Sequence, residues 1–110
     1  MTNYLVIYRA PVSASDQMAG ASPEEAQAGM DACMSWAGRA GSAIVDMGSP
    51  LARVDTIGAD LGDGELAIAG FSVMQADSAD ALREALDGHP HLMMPGAALE
   101  VLEYLSLPGM

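Results

Sequence analysis

The two histidines of this chain, His89 and His91, lie on either side of Pro90 in the segment HPHLMMPG. Histidine is the side chain best suited to proton transfer near neutral pH, and it is the commonest metal ligand in proteins. Because proline fixes one backbone torsion, Pro90 can hold both imidazoles in a set orientation. The segment is therefore the first candidate for acid/base chemistry. The alternative is a rigid loop whose imidazoles bond main-chain carbonyls or face water.

Two carboxylates could complete such a site. Asp46 interrupts the otherwise apolar segment SAIVDMG, and Glu100 lies in the segment LEVLEYL. A carboxylate that bonds a histidine orients the ring and raises its basicity, which makes the pair the minimal device for general acid/base catalysis. We therefore predict His89, His91 and Asp46 as catalytic residues. The alternative for Asp46, which is the commoner situation for such a residue, is a salt bridge at the sheet edge or at a dimer rim.

Aromatic and methionine side chains near these candidates could line an apolar pocket. Tyrosine and tryptophan join an apolar ring to a polar tip, and methionine adapts its shape to its neighbours. At strand and helix spacing, such residues more often belong to a core or an interface. The predicted pocket residues, together with one carboxylate, are Tyr4, Tyr8, Met30, Trp36, Met93 and Glu100.

Metal, cofactor and nucleotide chemistry lack their usual signals. A zinc site needs three or four converging ligands. The single cysteine, Cys33, falls on the apolar stripe of a predicted helix and is best explained as a small buried hydrophobe. The sequence contains no GxxxxGKS/T, GxGxxG, GxSxG or CxxC motif. We therefore predict no metal site and no cofactor.

The composition excludes several classes of partner. The 110 residues include 15 acidic side chains and only four basic ones, all arginine, which gives a net charge of −11. A nucleic-acid-binding protein needs cations to neutralise phosphates, and an anionic membrane surface repels an acidic chain. We therefore predict no nucleic-acid partner and no membrane partner. One cysteine, no leader-like N-terminus and no long apolar run predict a cytoplasmic protein.

The strands that must position these residues have a clear composition. The first, YLVIY, is apolar on both alternating faces, so both faces should be covered. Gly70 interrupts the third strand, where a bulge or a close backbone approach is the usual reason. Asp63-Gly64 indicates the hairpin turn before it. The predicted strands cover residues 4–8, 42–48, 66–75 and 99–105.

Two helices are predicted between the strands. The segment SPEE at 22–25 combines a capping serine, a proline at the first helical position and a glutamate that closes a capping box. Gly41 indicates the end of this helix, and a second helix is predicted over 77–87. Residues 10–21, rich in small residues, predict a loop. The apolar stripe of the first helix consists of Ala26, Met30, Cys33, Met34 and Ala37.

The resulting order, β-α-β-β-α-β, is that of an α+β, ferredoxin-like domain over residues 1–110. Such a domain has a four-stranded antiparallel sheet with both helices on one face. The other sheet face would then present apolar side chains to water, and an apolar patch of that size normally marks an interface. We therefore predict a homodimer through the sheet face, in which the two sheets pack against each other.

Several strings resemble the YCII-related (DGPF-domain) family, which belongs to the dimeric α/β-barrel group. The resemblance covers nearly the whole chain and lies in YLVIY, SPEEAQAGMDACMSWAGRAGSAIVDMGSPL, ADSADALREALDGHPHL and ALEVLEYL. It implies the fold and the dimer. The family's proposed catalytic pair is a histidine on the first helix and an aspartate before the glycine that leads into strand two. With Gly41 aligned, Met30 and Arg39 occupy these positions, so the resemblance implies no activity.

Two functions follow from these residues. The first is a protein that binds or acts on a small molecule, either in a cleft between sheet and helices or at the dimer seam. The second is a non-catalytic dimeric module that binds a metabolite or a partner protein. The histidine pair favours the first, and the loss of the family's catalytic pair favours the second.

Overall fold

The chain adopts an α+β fold in a computed structural model that describes residues 1–59 and 66–108. All four predicted strands form, with bounds that differ by a few residues from those predicted. The strands are β1 (Thr2–Ala10), β2 (Ile44–Pro50), β3 (Ala67–Ala76) and β4 (Ala98–Glu103). The helices are α1 (Ala14–Gly20), α2 (Pro23–Ala40) and α3 (Ala79–Ala85). Two short 3-10 turns, Gly41–Ala43 and Pro90–Met93, precede β2 and β4.

The four strands form one antiparallel sheet in the order β2-β3-β1-β4. β1 therefore lies inside the sheet, paired with β3 on one side and with β4 on the other. This order, with a helix after β1 and another after β3, is compatible with a ferredoxin-like fold. The hairpin turn predicted at Asp63-Gly64 lies outside the described residues.

The segment predicted as a loop over residues 10–21 contains the helix α1, so the prediction of only two helices is wrong. The Ser13 side chain caps this helix by accepting a hydrogen bond from the main-chain N–H of Asp16. Ala14 is buried with Ala10 of β1 and Ala69 of β3. The small side chains that indicated a loop instead allow a short helix to lie close against the sheet.

The helix α2 begins as predicted, and its buried face differs from the prediction. The Ser22 side chain accepts a hydrogen bond from the N–H of Glu25, and Gly41 ends the helix with a φ of 55°. Met30 and Met34, placed on the predicted apolar stripe, are exposed, whereas Trp36 is fully buried. The Trp36 indole donates a hydrogen bond to the carbonyl oxygen of Ala85 at 3.0 Å, which ties α2 to α3.

The core lies between the helices and one face of the sheet. Its buried residues come from β1, β3, α2 and α3, and they are Tyr4, Val6, Trp36, Met74, Ala76, Leu82 and Leu86. Residues that alternate with them along the strands form the opposite face, which we call the outer face. Its apolar residues are Leu5, Ile7, Phe71, Val73 and Leu102, which strand pairing brings side by side, and Glu100 lies opposite Ile7 on the same face. In the part of the chain that is described, no helix is both long and apolar enough to cross a membrane.

Candidate functional site

A cavity of about 620 Å³ lies between the sheet, α1 and α2, with residues 89–94 at one wall. We call it the sheet–helix cavity, and we call residues 89–94 the histidine turn. Its volume falls in the range of pockets that hold small molecules, about 300–1,000 Å³. Its walls are mostly apolar and include Tyr8, Met18, Met30, Cys33, Trp36, Pro50, Ala69, His89, His91 and Met94.

A second cavity, of about 670 Å³, lies at the beginning of β3 and is lined by residues that include Arg53 and Leu66. Leu66 directly follows residues 60–65, which are outside the described part of the chain. Neither histidine lines this cavity along its described wall. The candidate chemistry lies in the sheet–helix cavity, which contains both of them.

His89 is only 4% exposed, and both of its ring nitrogens lie within hydrogen-bond distance of protein groups. Its Nδ1 accepts a hydrogen bond from the main-chain N–H of His91 at 3.1 Å, and its Nε2 lies 3.3 Å from the Tyr8 hydroxyl. A ring nitrogen that accepts from an N–H carries no proton, so the proton of the neutral ring is on Nε2. His89 Nε2 therefore donates to the Tyr8 oxygen.

The same surroundings keep His89 uncharged. Burial lowers the pKa of His89 to about 4, and the nearby His91 contributes in the same direction. The Trp36 ring packs on the imidazole with a centroid distance of 4.3 Å. Near neutral pH both ring nitrogens of His89 are occupied, which suits a residue that orients its neighbour rather than one that exchanges protons with a ligand.

Tyr8 is the neighbour that His89 orients. Burial raises the pKa of the Tyr8 hydroxyl, and the nearby Ser72 hydroxyl partly offsets this rise. The Ser72 oxygen itself is buried and has no partner within hydrogen-bond geometry among the described residues, so its contact with Tyr8 is a long one. Tyr8 is therefore a neutral phenol at the cavity wall, accepting from His89 and keeping its own proton.

His91 is anchored to the main chain of β1. Its Nε2 lies 2.8 Å from the carbonyl oxygen of Arg9, so this nitrogen carries a proton and donates it. The ring stacks on Tyr8 with a centroid distance of 5.3 Å and an interplanar angle of 27°. His91 thus contributes both a ring and a main-chain N–H to the arrangement around Tyr8.

Neither imidazole forms a hydrogen bond with a carboxylate among the described residues. Asp46 is exposed on β2, and its side chain accepts a hydrogen bond from the N–H of Gly48 at 2.8 Å. Glu100 pairs with Arg9, whose Nη2 lies 3.0 Å from its carboxylate. The structure thus joins His89 and His91 through Tyr8, and it places Asp46 and Glu100 in other interactions.

The turn at Gly48 explains the position of Asp46. Gly48 has a φ of 75°, and a Cβ there would collide with the carbonyl oxygen of Phe71 on β3. The strand is irregular at this point, with shifts in the register of its pairing with β3. The Asp46 carboxylate satisfies the N–H that this irregularity leaves unpaired.

The predicted pocket residues divide into two groups. Tyr8, Met30 and Trp36 line the sheet–helix cavity. Tyr4 is buried in the core, and Met93 is 81% exposed, while its neighbour Met94 lines the cavity instead. The sequence patterns do not predict that residues of α1 line the cavity, because they predict a loop over residues 10–21.

The cavity carries no formal charge at its described walls. None of its described lining residues is Asp, Glu, Lys or Arg. Within the described ranges, no group of three or more His, Cys, Asp or Glu side chains is placed to hold a metal ion. The polar groups available to a ligand are therefore hydroxyls, ring nitrogens and the Gln17 amide.

No model of a known protein family matches the chain, and no curated protein sequence matches it significantly. The resemblance to the YCII-related family, and the dimer that it implies, stay predictions from the sequence. What the cavity can bind therefore follows from the residues that line it.

Proposed function

We propose that the protein binds a small, largely apolar molecule in the sheet–helix cavity. The observation that carries the proposal is a cavity of about 620 Å³ whose mostly apolar wall contains a small cluster of oriented polar groups around Tyr8. Ligand pockets in proteins have this composition, in which apolar area supplies affinity and a few polar groups fix orientation. Each 100 Å² of apolar ligand surface removed from water contributes about 2.5 kcal/mol before the costs of association.

Binding is favoured over catalysis by the state of His89. A general acid or base needs a pKa near the working pH and a nitrogen within reach of the substrate. The pKa of His89 is lowered to about 4, and both of its nitrogens have protein partners. His91 keeps one nitrogen without such a partner among the described residues, and it is the residue through which any proton transfer would occur.

We further propose that two copies associate through the outer face, as the resemblance to the YCII-related family implies. The central outer-face residue is Leu5, which lies between Val73 on β3 and Leu102 on β4. Leu102 is 43% exposed in the single chain. The three described helices pack against the opposite face of the sheet or beside the cavity, so none of them covers the outer face. The sheet of a second copy is the surface best suited to cover it.

The binding proposal is tested by filling the cavity. Gly29 lines it, and a Cβ at this position would have no atom within 4 Å, so Gly29→Leu adds bulk without a clash at the backbone. Gly38→Leu, on the same helix and also in open space, is the matched control. A panel of uncharged apolar molecules is screened by thermal unfolding, since a ligand that binds only the folded chain raises Tm.

We expect hits with the parent protein and with Gly38→Leu, and loss of the shift with Gly29→Leu. Calorimetry on the best hit then gives the affinity for each variant. A panel without hits, or equal affinity of the parent and Gly29→Leu, would overturn the proposal.

A further inference from the structure

We infer that the sheet–helix cavity selects an uncharged ligand with a hydrogen-bond acceptor such as a carbonyl, and that the Tyr8 hydroxyl donates the bond that orients it. The inference rests on the proposed function and adds the chemical class of the ligand. Three observations carry it: the direction of the hydrogen bonds around His89, the lack of another acceptor for the Tyr8 proton among residues 1–59 and 66–108, and the absence of charged side chains from the wall formed by these residues.

The direction of the hydrogen bonds is set by the main chain. The N–H of His91 can only donate, so His89 Nδ1 must accept. A proton on Nδ1 would point at that N–H, so near neutral pH the geometry opposes both the charged imidazolium and the other neutral tautomer. His89 Nε2 carries the proton and donates to the Tyr8 oxygen. The Tyr8 hydroxyl cannot donate back to His89, so its own proton must go elsewhere.

The described residues offer no acceptor for that proton within hydrogen-bond geometry. Ser72 Oγ, the hydroxyl that lowers the pKa of Tyr8, is itself buried, and no group among the described residues, Tyr8 included, meets hydrogen-bond geometry with it. The His91 ring is stacked on the phenol, so its ring edge is not turned toward the hydroxyl. A buried donor without an acceptor is costly and is rare in folded proteins. Because Tyr8 lines the cavity, a ligand atom is the natural acceptor.

The wall excludes ions for an electrostatic reason. A charge taken from water needs a partner of opposite sign, and the described wall has neither a carboxylate nor a guanidinium to provide one. Arg9, which directly follows Tyr8 on β1, is paired with Glu100. The net charge of −11 also repels anions at long range. An ammonium ion would present donors to Tyr8, which itself needs an acceptor.

Calorimetry with four naphthalene derivatives tests this selectivity. 2-Acetylnaphthalene carries an acceptor, 2-ethylnaphthalene has the same ring system with a smaller substituent that has no acceptor, and 2-naphthoate and 2-naphthylmethylammonium carry the two charges. The measured quantity is the ratio of the affinities for the acetyl and ethyl compounds, compared between the parent and Tyr8→Phe. This double ratio cancels differences in solubility between the probes and in packing between the proteins.

We expect Tyr8→Phe to lower the acetyl-to-ethyl ratio about three- to tenfold, as the loss of one neutral hydrogen bond does. Tyr104→Phe, which removes a hydroxyl from a half-exposed tyrosine after β4, should leave the ratio unchanged. Both ions should bind the parent more weakly than either neutral compound. Circular dichroism checks the fold of each variant, and the ranking of the four probes by the parent tests the inference without any variant.

Binding of both neutral probes with a ratio that Tyr8→Phe leaves unchanged would overturn the inference and leave the proposed function standing. Tightest binding of either ion to the parent would overturn it too. Failure of all four probes to bind would count against the proposed function itself, and the inference would fall with it.

Discussion

Tyr8 on β1 lies directly opposite Gly70 on β3, and its ring occupies the space that a side chain at position 70 would need. A Cβ there would lie 3.2 Å from Cδ2 of Tyr8 and 3.0 Å from the carbonyl oxygen of Ser49. The pairing of β1 with β3 shifts register just after Tyr8. The glycine thus allows the ring of the candidate ligand-orienting tyrosine to approach the main chain of β3 closely.

We expect Gly70→Ala to destabilise the protein by about 1–3 kcal/mol, because the added methyl group meets a main-chain oxygen that cannot easily move. Gly38→Ala is the control, because the added Cβ lies in open space on α2. Alanine favours a helix over glycine by up to about 1 kcal/mol, so this variant should be at least as stable as the parent. Urea unfolding of the three proteins measures both effects. Equal stability of Gly70→Ala and the parent would contradict this account of the glycine.

A bulge or a close backbone approach at Gly70 was predictable because a glycine in the middle of a predicted strand is a local signal. The start of α2 was predictable for the same reason, since the cap, the proline and the glutamate lie within residues 22–25. The sequence also predicted four strands and an antiparallel sheet. α1 was missed because alanine, serine and glycine occur in loops as well as in short helices that pack closely on a sheet.

The candidate site was less predictable, because its contacts are not local. Tyr8 and His89 were both predicted as site residues, but 81 positions separate them and no spacing rule pairs them. Asp46 was matched with the histidines because it is a carboxylate in an apolar strand. A left-handed glycine two residues later engages it instead, and only the three-dimensional register of β2 reveals that interaction.

Acidification should destabilise the protein through His89. Its pKa is about 4 in the folded chain, against an ordinary histidine value of 6.5, so between these values the unfolded chain binds a proton that the folded chain does not. The contribution of His89 to the free energy of unfolding is therefore complete above pH 6.5 and is lost as the pH falls toward 4. We expect a loss of about 3 kcal/mol, measured by urea unfolding at several pH values.

His89→Asn is the control for this pH dependence, because asparagine can still accept a hydrogen bond from the N–H of His91 and does not titrate. The variant should be less stable than the parent at pH 7, and the difference should shrink at low pH. Parallel loss of stability in both proteins would assign the effect to the acidic residues instead.

The proposed dimer predicts a specific effect at Leu5. Leu5→Asp would place two carboxylates in the interface, one from each copy, and a buried unpaired charge costs several kcal/mol. We expect sedimentation velocity to show a dimer for the parent and a monomer for Leu5→Asp. Val54→Asp changes an apolar residue that is 97% exposed outside the sheet, and it should stay dimeric. A parent that is monomeric at micromolar concentration would contradict the proposal.

The Arg9–Glu100 pair should contribute little to stability. The two side chains are 31% and 44% exposed, and partly exposed ion pairs typically contribute less than about 1 kcal/mol. We expect Glu100→Gln to lower the free energy of unfolding by no more than about 1 kcal/mol. The difference between the two proteins should decrease in 1 M salt, where the Debye length is only about 3 Å. A larger loss, insensitive to salt, would indicate that the carboxylate has a further partner.

Trp36 is the only tryptophan of the chain, and its ring rests on His89 at the wall of the cavity. Indole emission shifts in wavelength with the polarity of its surroundings, and a neighbouring imidazolium quenches it by accepting an electron from the excited ring. The molecule therefore carries its single indole fluorophore at the place where ligand entry and histidine protonation would both occur. Light emission from the unlabelled protein would report both events separately, the first as a spectral shift and the second as a loss of intensity.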